Sequence, residues 1–165
     1  MAPGLDVLFC GINPSIMSFE RGHHFARPGN RFWPALHGSG FTPRLMTPYE
    51  DMELLEYGLG VTNMVDRPTR GVADLSDDEM RAGGKALAEL AERCLPKVIA
   101  VVGVTAWRTA YGCPKAQIGP QELTVGGCQT WVLPNPSGLN AHYQLPDLVR
   151  LFGDLREWVA RARHD

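Results

Sequence analysis

Two Asn-Pro-Ser triplets, Asn13-Pro14-Ser15 and Asn135-Pro136-Ser137, each follow directly on a short apolar run. The proline fixes its own φ, removes a backbone donor and holds the preceding residue extended. The asparagine is left with one acceptor and two donors on its side chain. Such an amide can hold a water molecule or read the carbonyl and N–H edge of a pyrimidine, but it is no strong base. A lone Asn-Pro turn reads as the cap of a strand. Two copies after two strands, both at carboxyl ends where open α/β sheets bind ligands, point instead to a binding edge.

Other chemistry-bearing residues are weaker signals. The loop Gly22 to Trp33 carries Phe25, which either stacks on a flat ligand or packs in the core. His23 and His24 are adjacent, so in extended chain they point to opposite sides and read as hydrogen-bonding or surface residues. Asp66 could activate water, yet as the neighbour of Arg67 it reads first as a surface partner or loop cap. Arg21, Arg27, Arg31, Arg67 and Arg70, taken singly, read as solvated charges. Cys10, Cys94, Cys113 and Cys128 form no Cys-x-x-Cys pair and no Cys-His spacing, so neither zinc nor an iron–sulfur cluster is expected. Neither GxGxxG nor GxxxxGK[ST] occurs, which argues against a nucleotide-binding protein.

These residues need elements to carry them. Leu5–Ile12, Leu59–Val65 and Val98–Val102 are apolar, β-branched-rich runs that read as buried strands. Leu123–Val125 and Thr130–Leu133 flank Gly126-Gly127 and read as a hairpin. Asn30–Leu36 enters a helix. Thr47-Pro48 with Glu50 starts another that runs to Tyr57 and ends at Gly58. Ser76 with Glu79 forms a capping box ahead of apolar residues at helical spacing, and Pro96 ends that helix. Thr105–Tyr111 is a short helix closed by Gly112, and Leu145 to Val159 repeats as an amphipathic one. Strands alternating with helices predict an α/β fold: three layers, α/β/α, around a mostly parallel sheet, as a single domain over 1–165.

Composition is that of a globular chain: 165 residues, 44% hydrophobic, 21% charged. No run approaches a membrane span and no leader is visible, so a cytoplasmic protein with no membrane partner is expected. A net charge of −2 excludes a broad electrostatic grip on nucleic acid but leaves room for a local one.

Four segments in order, Gly11-Ile12-Asn13-Pro14, the loop Gly22–Trp33, Gly60–Thr69 and Leu133–Leu139, resemble the mismatch-specific uracil-DNA glycosylase and thymine-DNA glycosylase family over nearly the whole chain. The resemblance implies a monomeric, cofactor-free enzyme that hydrolyses the N-glycosidic bond of uracil, and of related damaged pyrimidines, in double-stranded DNA containing uracil or mismatches. It assigns Asn13 to the attacking water. It places Gly11, Ile12, Pro14, Ser18, Phe25, Asn63 and Asn135 at the base pocket, with Phe25 stacking on the flipped base. Ser137, Gly138, Leu139 and Asn140 become the loop that enters the duplex, with Leu139 as wedge. Ser15 stands where the family usually has glycine, and features of the thymine and bacterial uracil branches are mixed. A non-catalytic mismatch-binding module is the rival expectation: it would grip the same DNA and leave every base attached.

Overall fold

Alternation along the first strand decides the architecture. In β1 (Val7–Gly11), Val7 and Phe9 face one way and Leu8 and Cys10 the other, and all four are fully buried. A strand buried on both faces needs cover on both sides. The computed structural model, which describes residues 2–162, supplies it; Met1 and residues 163–165, at the ends of the expected domain, lie outside the described residues.

The sheet has five strands in the order β2-β1-β3-β5-β4, where β2 is Leu59–Asn63, β3 Val98–Val102, β4 Gly119–Val125 and β5 Cys128–Leu133. β1, β2, β3 and β5 run parallel, and only the edge strand β4 is antiparallel. Val7, Phe9, Ala100 and Leu133 pack under α2 (Phe32–Gly38) and α5 (Leu145–Ala162), through Phe32, Leu36, Phe152 and Leu155. Leu8, Cys10, Ile99 and Val101 pack under α3 (Asp77–Cys94) and α4 (Val104–Tyr111), through Met80, Leu87 and Trp107. The three-layer α/β/α arrangement expected from the sequence is the one found. No helix among the described residues is long and apolar enough to cross a membrane.

Local signals explain most boundaries. Ser76 Oγ accepts from Glu79 N (3.1 Å) and the Glu79 carboxylate accepts from Ser76 N (3.1 Å), so the capping box starts α3 as expected. Three details differ. Pro48–Tyr57 is a 3₁₀ segment, although the Glu50 carboxylate does accept from Thr47 N at 2.9 Å. Only Leu54 is buried along it, so no broad apolar stripe demands the 3.6-residue period. The stretch after Pro14, assigned to no element from the sequence, contains a helix, α1 (Ile16–Arg21), whose N-cap is Ser15: its Oγ accepts from Ser18 N at 3.0 Å. β4 begins at Gly119, earlier than expected, because Pro120 is tolerated on an edge strand.

The helix α3 approaches the exit of β2 very closely. A Cβ on Gly83 would stand 2.4 Å from the Met64 carbonyl oxygen. Glycine inside a helix ordinarily costs about 1 kcal/mol relative to alanine, so a Gly→Ala change there normally stabilises. At position 83 the overpacking penalty of about 1–3 kcal/mol opposes that gain and exceeds it, since the clash is with backbone. Gly83→Ala is therefore expected to lower stability by about 1–2 kcal/mol, read from the midpoint of urea unfolding. An unchanged or raised midpoint would show that α3 can move away freely.

Candidate active site at the carboxyl edge of the sheet

Because four strands are parallel, their carboxyl ends share one edge, and both Asn-Pro-Ser turns lie there, after β1 and after β5. The chain passes from β1 to β2 on one side and then crosses to β3 on the other, which opens a crevice at β1. A cavity of about 1500 Å³ occupies this edge. That volume exceeds what one small ligand usually occupies.

Asn13 lines the cavity in a fixed orientation. Its Nδ2 donates to the Arg67 carbonyl (2.8 Å) and to Thr69 Oγ1 (2.8 Å). Thr69 Oγ1 in turn donates to the Gly71 carbonyl (2.8 Å), so its hydroxyl must accept from the amide. Both amide protons are thus spent on protein acceptors. Oδ1 is the atom left over, an acceptor lining the cavity. The sequence pattern singles out Asn13 but not Thr69, which lies 56 residues away and is buried. The only signal was that Thr69 closes the Gly60–Thr69 run.

Phe25 and Asn63 flank the end of β1. The Phe25 ring stacks on Phe32 with centroids 4.1 Å apart and an interplanar angle of 26°, and its backbone takes a φ of 52°. A non-glycine residue in that region is uncommon and is held there by its surroundings. Phe25 therefore packs on the core through Phe32 and also lines the cavity. Gly11 makes the room: a Cβ there would lie 2.8 Å from Asn63 Oδ1 and 3.2 Å from Phe25 Cζ. Gly11 itself does not line the cavity, whereas Ile12, Asn13, Pro14, Ser18, Phe25 and Asn63 do. The Asn63 side chain makes no hydrogen bond to any described residue, so its amide is available to a ligand. Ser18 is buried, and its Oγ accepts from Ala26 N (2.9 Å) and pairs with Ser15 Oγ (3.0 Å).

The second turn builds a protruding loop. Asn135 Oδ1 accepts from Ser137 N (3.0 Å), and Asn140 Nδ2 donates to the Asn135 carbonyl (3.0 Å). Asn135 lines the cavity, but its carboxamide oxygen shapes the loop. Leu139 is carried outwards with 68% of its surface exposed. Gly138 packs against Gly29, whose carbonyl oxygen would lie 2.7 Å from a Cβ at 138.

Charges around the cavity depart from the sequence-based expectations in three ways. Arg67 pairs with Glu79 at 2.8 Å, so Asp66 is no partner of Arg67; it stands exposed on the cavity lining. Arg31 is bound to backbone carbonyls and is no solvated surface charge. Arg21 donates to the Tyr49 hydroxyl. Arg27 and Arg70 line the cavity, and their side chains make no ion pair or hydrogen bond to a described residue. Asp51 joins the histidines: it faces His23 Nδ1 at 3.3 Å and accepts from His24 N at 3.1 Å. No group of three or more His, Cys, Asp or Glu is placed to hold a metal among the described residues.

The chain that builds this edge matches a known family over nearly all its length. The family described as the uracil DNA glycosylase superfamily matches residues 1–158.

His24 offers a direct test of the site's electrostatics. Burial pushes its imidazole below the ordinary value of 6.5, Asp51 opposes this, and His23 adds to it. In the folded chain His24 binds a proton less readily than in the unfolded chain, so its contribution to stability is full above pH 6.5 and is lost as pH falls through the lowered value. Asp51→Asn should depress the His24 titration further, followed by NMR of the imidazole protons. A rise on that substitution would mean that the Asp51 charge does not act on His24.

Proposed function

From the premise that the chain belongs to the uracil DNA glycosylase superfamily, and so is a DNA glycosylase, we propose that it is a monofunctional enzyme that hydrolyses uracil from double-stranded DNA and prefers G·U mismatches. The observation that carries this reading is the Asn13 side chain, both of whose amide protons are consumed by protein acceptors, so that only its oxygen is left for a ligand in the cavity that Asn13 lines. The sequence features shared with the mismatch-specific and thymine-DNA branch favour the mismatch preference. We place the enzyme in the cytoplasm, acting as a monomer.

The reaction follows from the parts. A base inside duplex DNA is out of reach and must be flipped, at a cost of a few kcal/mol that is smallest for a weakened pair. Leu139, apolar and exposed, fills the space left behind. The free face of Phe25 stacks on the flipped pyrimidine, which contributes about 1–3 kcal/mol. Asn63 offers both a donor and an acceptor to the edge of the base, and buried Ser18 stands where a 5-methyl group adds bulk; uracil is accordingly preferred to thymine.

Cleavage of the C1′–N1 bond sends its electron pair to the base, leaving the sugar cationic. The Asn63 donor stabilises the departing anion. Asn13 Oδ1 accepts a hydrogen bond from a water molecule and so turns a lone pair towards C1′, a positioning effect that needs no strong base. The water oxygen bonds to C1′, and its proton is released to solvent or to the departing base. None of the residues lining the cavity is lysine, so an amine attack leading to strand cleavage has no nucleophile there. Arg27 and Arg70, free of partners at the groove, are suited to phosphates flanking the flipped nucleotide.

Two outcomes test this reading, both measured as abasic sites formed in a duplex with a single uracil under single-turnover conditions. Asn13→Ala should lose at least about a hundredfold in rate while retaining affinity for the duplex, and Thr69→Val, which removes the acceptor that orients the amide, should lose about tenfold. Excision by Asn13→Ala within about twofold of the parent would remove the asparagine from the mechanism.

The second outcome concerns the opposite base. The parent should cut G·U faster than A·U, and Leu139→Ala should slow A·U more than G·U, because the wobble pair opens at lower cost. Equal parental rates on the two duplexes would refute the mismatch preference. A protein that binds such duplexes and leaves every uracil in place would instead be the mismatch-binding module.

A further inference from the structure

Leu139 poses a physical problem. An apolar side chain on an exposed loop beside a partly apolar cavity gains by folding back into it. Something must hold the loop open, and its own hydrogen bonds are short-range: Leu139 N to Ser137 Oγ (3.2 Å), Asn140 N to the Ser137 carbonyl (3.0 Å) and His142 N to Asn140 Oδ1 (3.2 Å). These fix the shape of the turn but not its position on the body of the protein.

Among the described residues, the side-chain hydrogen bonds that tie the loop to the body all come from one residue. The Arg31 guanidinium donates to four backbone carbonyls on one loop: Pro136 (3.3 Å), Ser137 (2.6 Å), Asn140 (3.2 Å) and Tyr143. The Arg31 backbone N–H adds a further bond to the Pro136 carbonyl at 2.9 Å. No acid among the described residues pairs with it. A planar fork of five donors can serve several acceptors at once, which an ammonium cannot match in this geometry. Drawing these carbonyls inwards leaves the Leu139 side chain outside. Arg31 also immediately precedes Phe32, the ring on which Phe25 stacks. One short stretch of chain therefore sets both the wall of the base pocket and the position of the wedge.

We infer that Arg31 is a positioning residue for base flipping: its guanidinium holds the Pro136–Tyr143 loop so that Leu139 stands at a fixed distance from the pocket. This rests on the glycosylase reading above. Arg31 touches neither the base nor the water and acts only through the loop, so its loss matters where a duplex must be opened and not where the base is already free.

The test compares Arg31→Ala, Leu139→Ala and the double variant with the parent, in single-turnover excision from A·U duplex, G·U duplex and a single-stranded oligonucleotide carrying uracil. Arg31→Ala should slow A·U by at least about tenfold, G·U by less, and the single strand by no more than about twofold. The double variant should be no slower than the slower single one, since both remove the same function. Arg31→Lys, which keeps the charge and the stem but serves fewer carbonyls, should show the same ordering in milder form and guards against a misfolded alanine variant. In parallel, amide hydrogen exchange of the free proteins should accelerate by about tenfold at residues 137–140 in Arg31→Ala and stay unchanged in the strands. Equal slowing on single-stranded and duplex substrates, multiplying effects in the double variant, or unchanged exchange in the loop would each overturn the inference. If the parent removes no uracil from any substrate, the glycosylase reading fails, and loop exchange still decides whether Arg31 holds the wedge.

Discussion

The site depends on a pairing that continues after the sheet has ended. β1 and β2 are in register to Gly11 and Asn63, and the two chains then stay together through their loops. Met64 N donates to the Gly11 carbonyl (2.8 Å), Val65 N to the Ile12 carbonyl (2.9 Å) and Thr69 N to the Pro14 carbonyl (3.3 Å). The Asn13 side chain enters this ladder as if it were backbone, donating to the Arg67 carbonyl. Pro14 could not have donated at its own position, so the neighbouring amide satisfies the acceptors that the interrupted ladder leaves open. The result is an asparagine whose orientation is settled by the fold before any ligand arrives, which is what electrostatic and positional catalysis requires.

The rest of that wall is held from outside. Arg67, whose carbonyl receives the Asn13 amide, is anchored by Glu79 at the start of α3 and by the Asp74 carbonyl. The Glu79 carboxyl is held down at about 2, first by the Arg67 guanidinium and then by the Ser76 N–H. A single carboxylate thus completes a helix cap and steadies the loop that orients the Asn13 amide. Exposed ion pairs contribute little to stability, so the value of this one lies in fixing geometry.

Much of this is legible in the sequence, for identifiable reasons. The strands stand out as apolar β-branched runs, the capping box at Ser76 and Glu79 places α3, and the two Asn-Pro-Ser turns mark the working edge. What escapes is whatever depends on residues distant in the chain. Thr69 is an ordinary threonine until it meets Asn13, and Arg31 an ordinary surface cation until it meets the Pro136–Tyr143 loop. Asp66 looks like the partner of Arg67 by adjacency, yet Glu79 takes that place because α3 delivers it there with a bidentate grip. The helix α1 is hidden by its brevity and by the glycine and histidine residues that follow it. Pro48–Tyr57 carries a correct start signal, but only burial decides which helical period a segment adopts.

The two walls of the groove are built on different principles, and the difference suits the task. The Asn13 wall is pinned by backbone pairing to two buried strands, so it has little freedom to shift. The Leu139 wall is a loop outside the sheet, fastened by the Arg31 guanidinium and backbone N–H and by a few side-chain caps, so its position is set by side chains more than by strand pairing. With a net charge of −2 the chain has no broad positive field to attract DNA, and Arg27 and Arg70 are local cations on the cavity lining. On the proposed function, discrimination would reside in the opening step: a base that resists flipping would be released, because weak backbone binding would give it little time in the groove. A stronger electrostatic grip would lengthen every encounter and erode that difference, so the modest charge of this chain is consistent with reading a lesion through the cost of opening it.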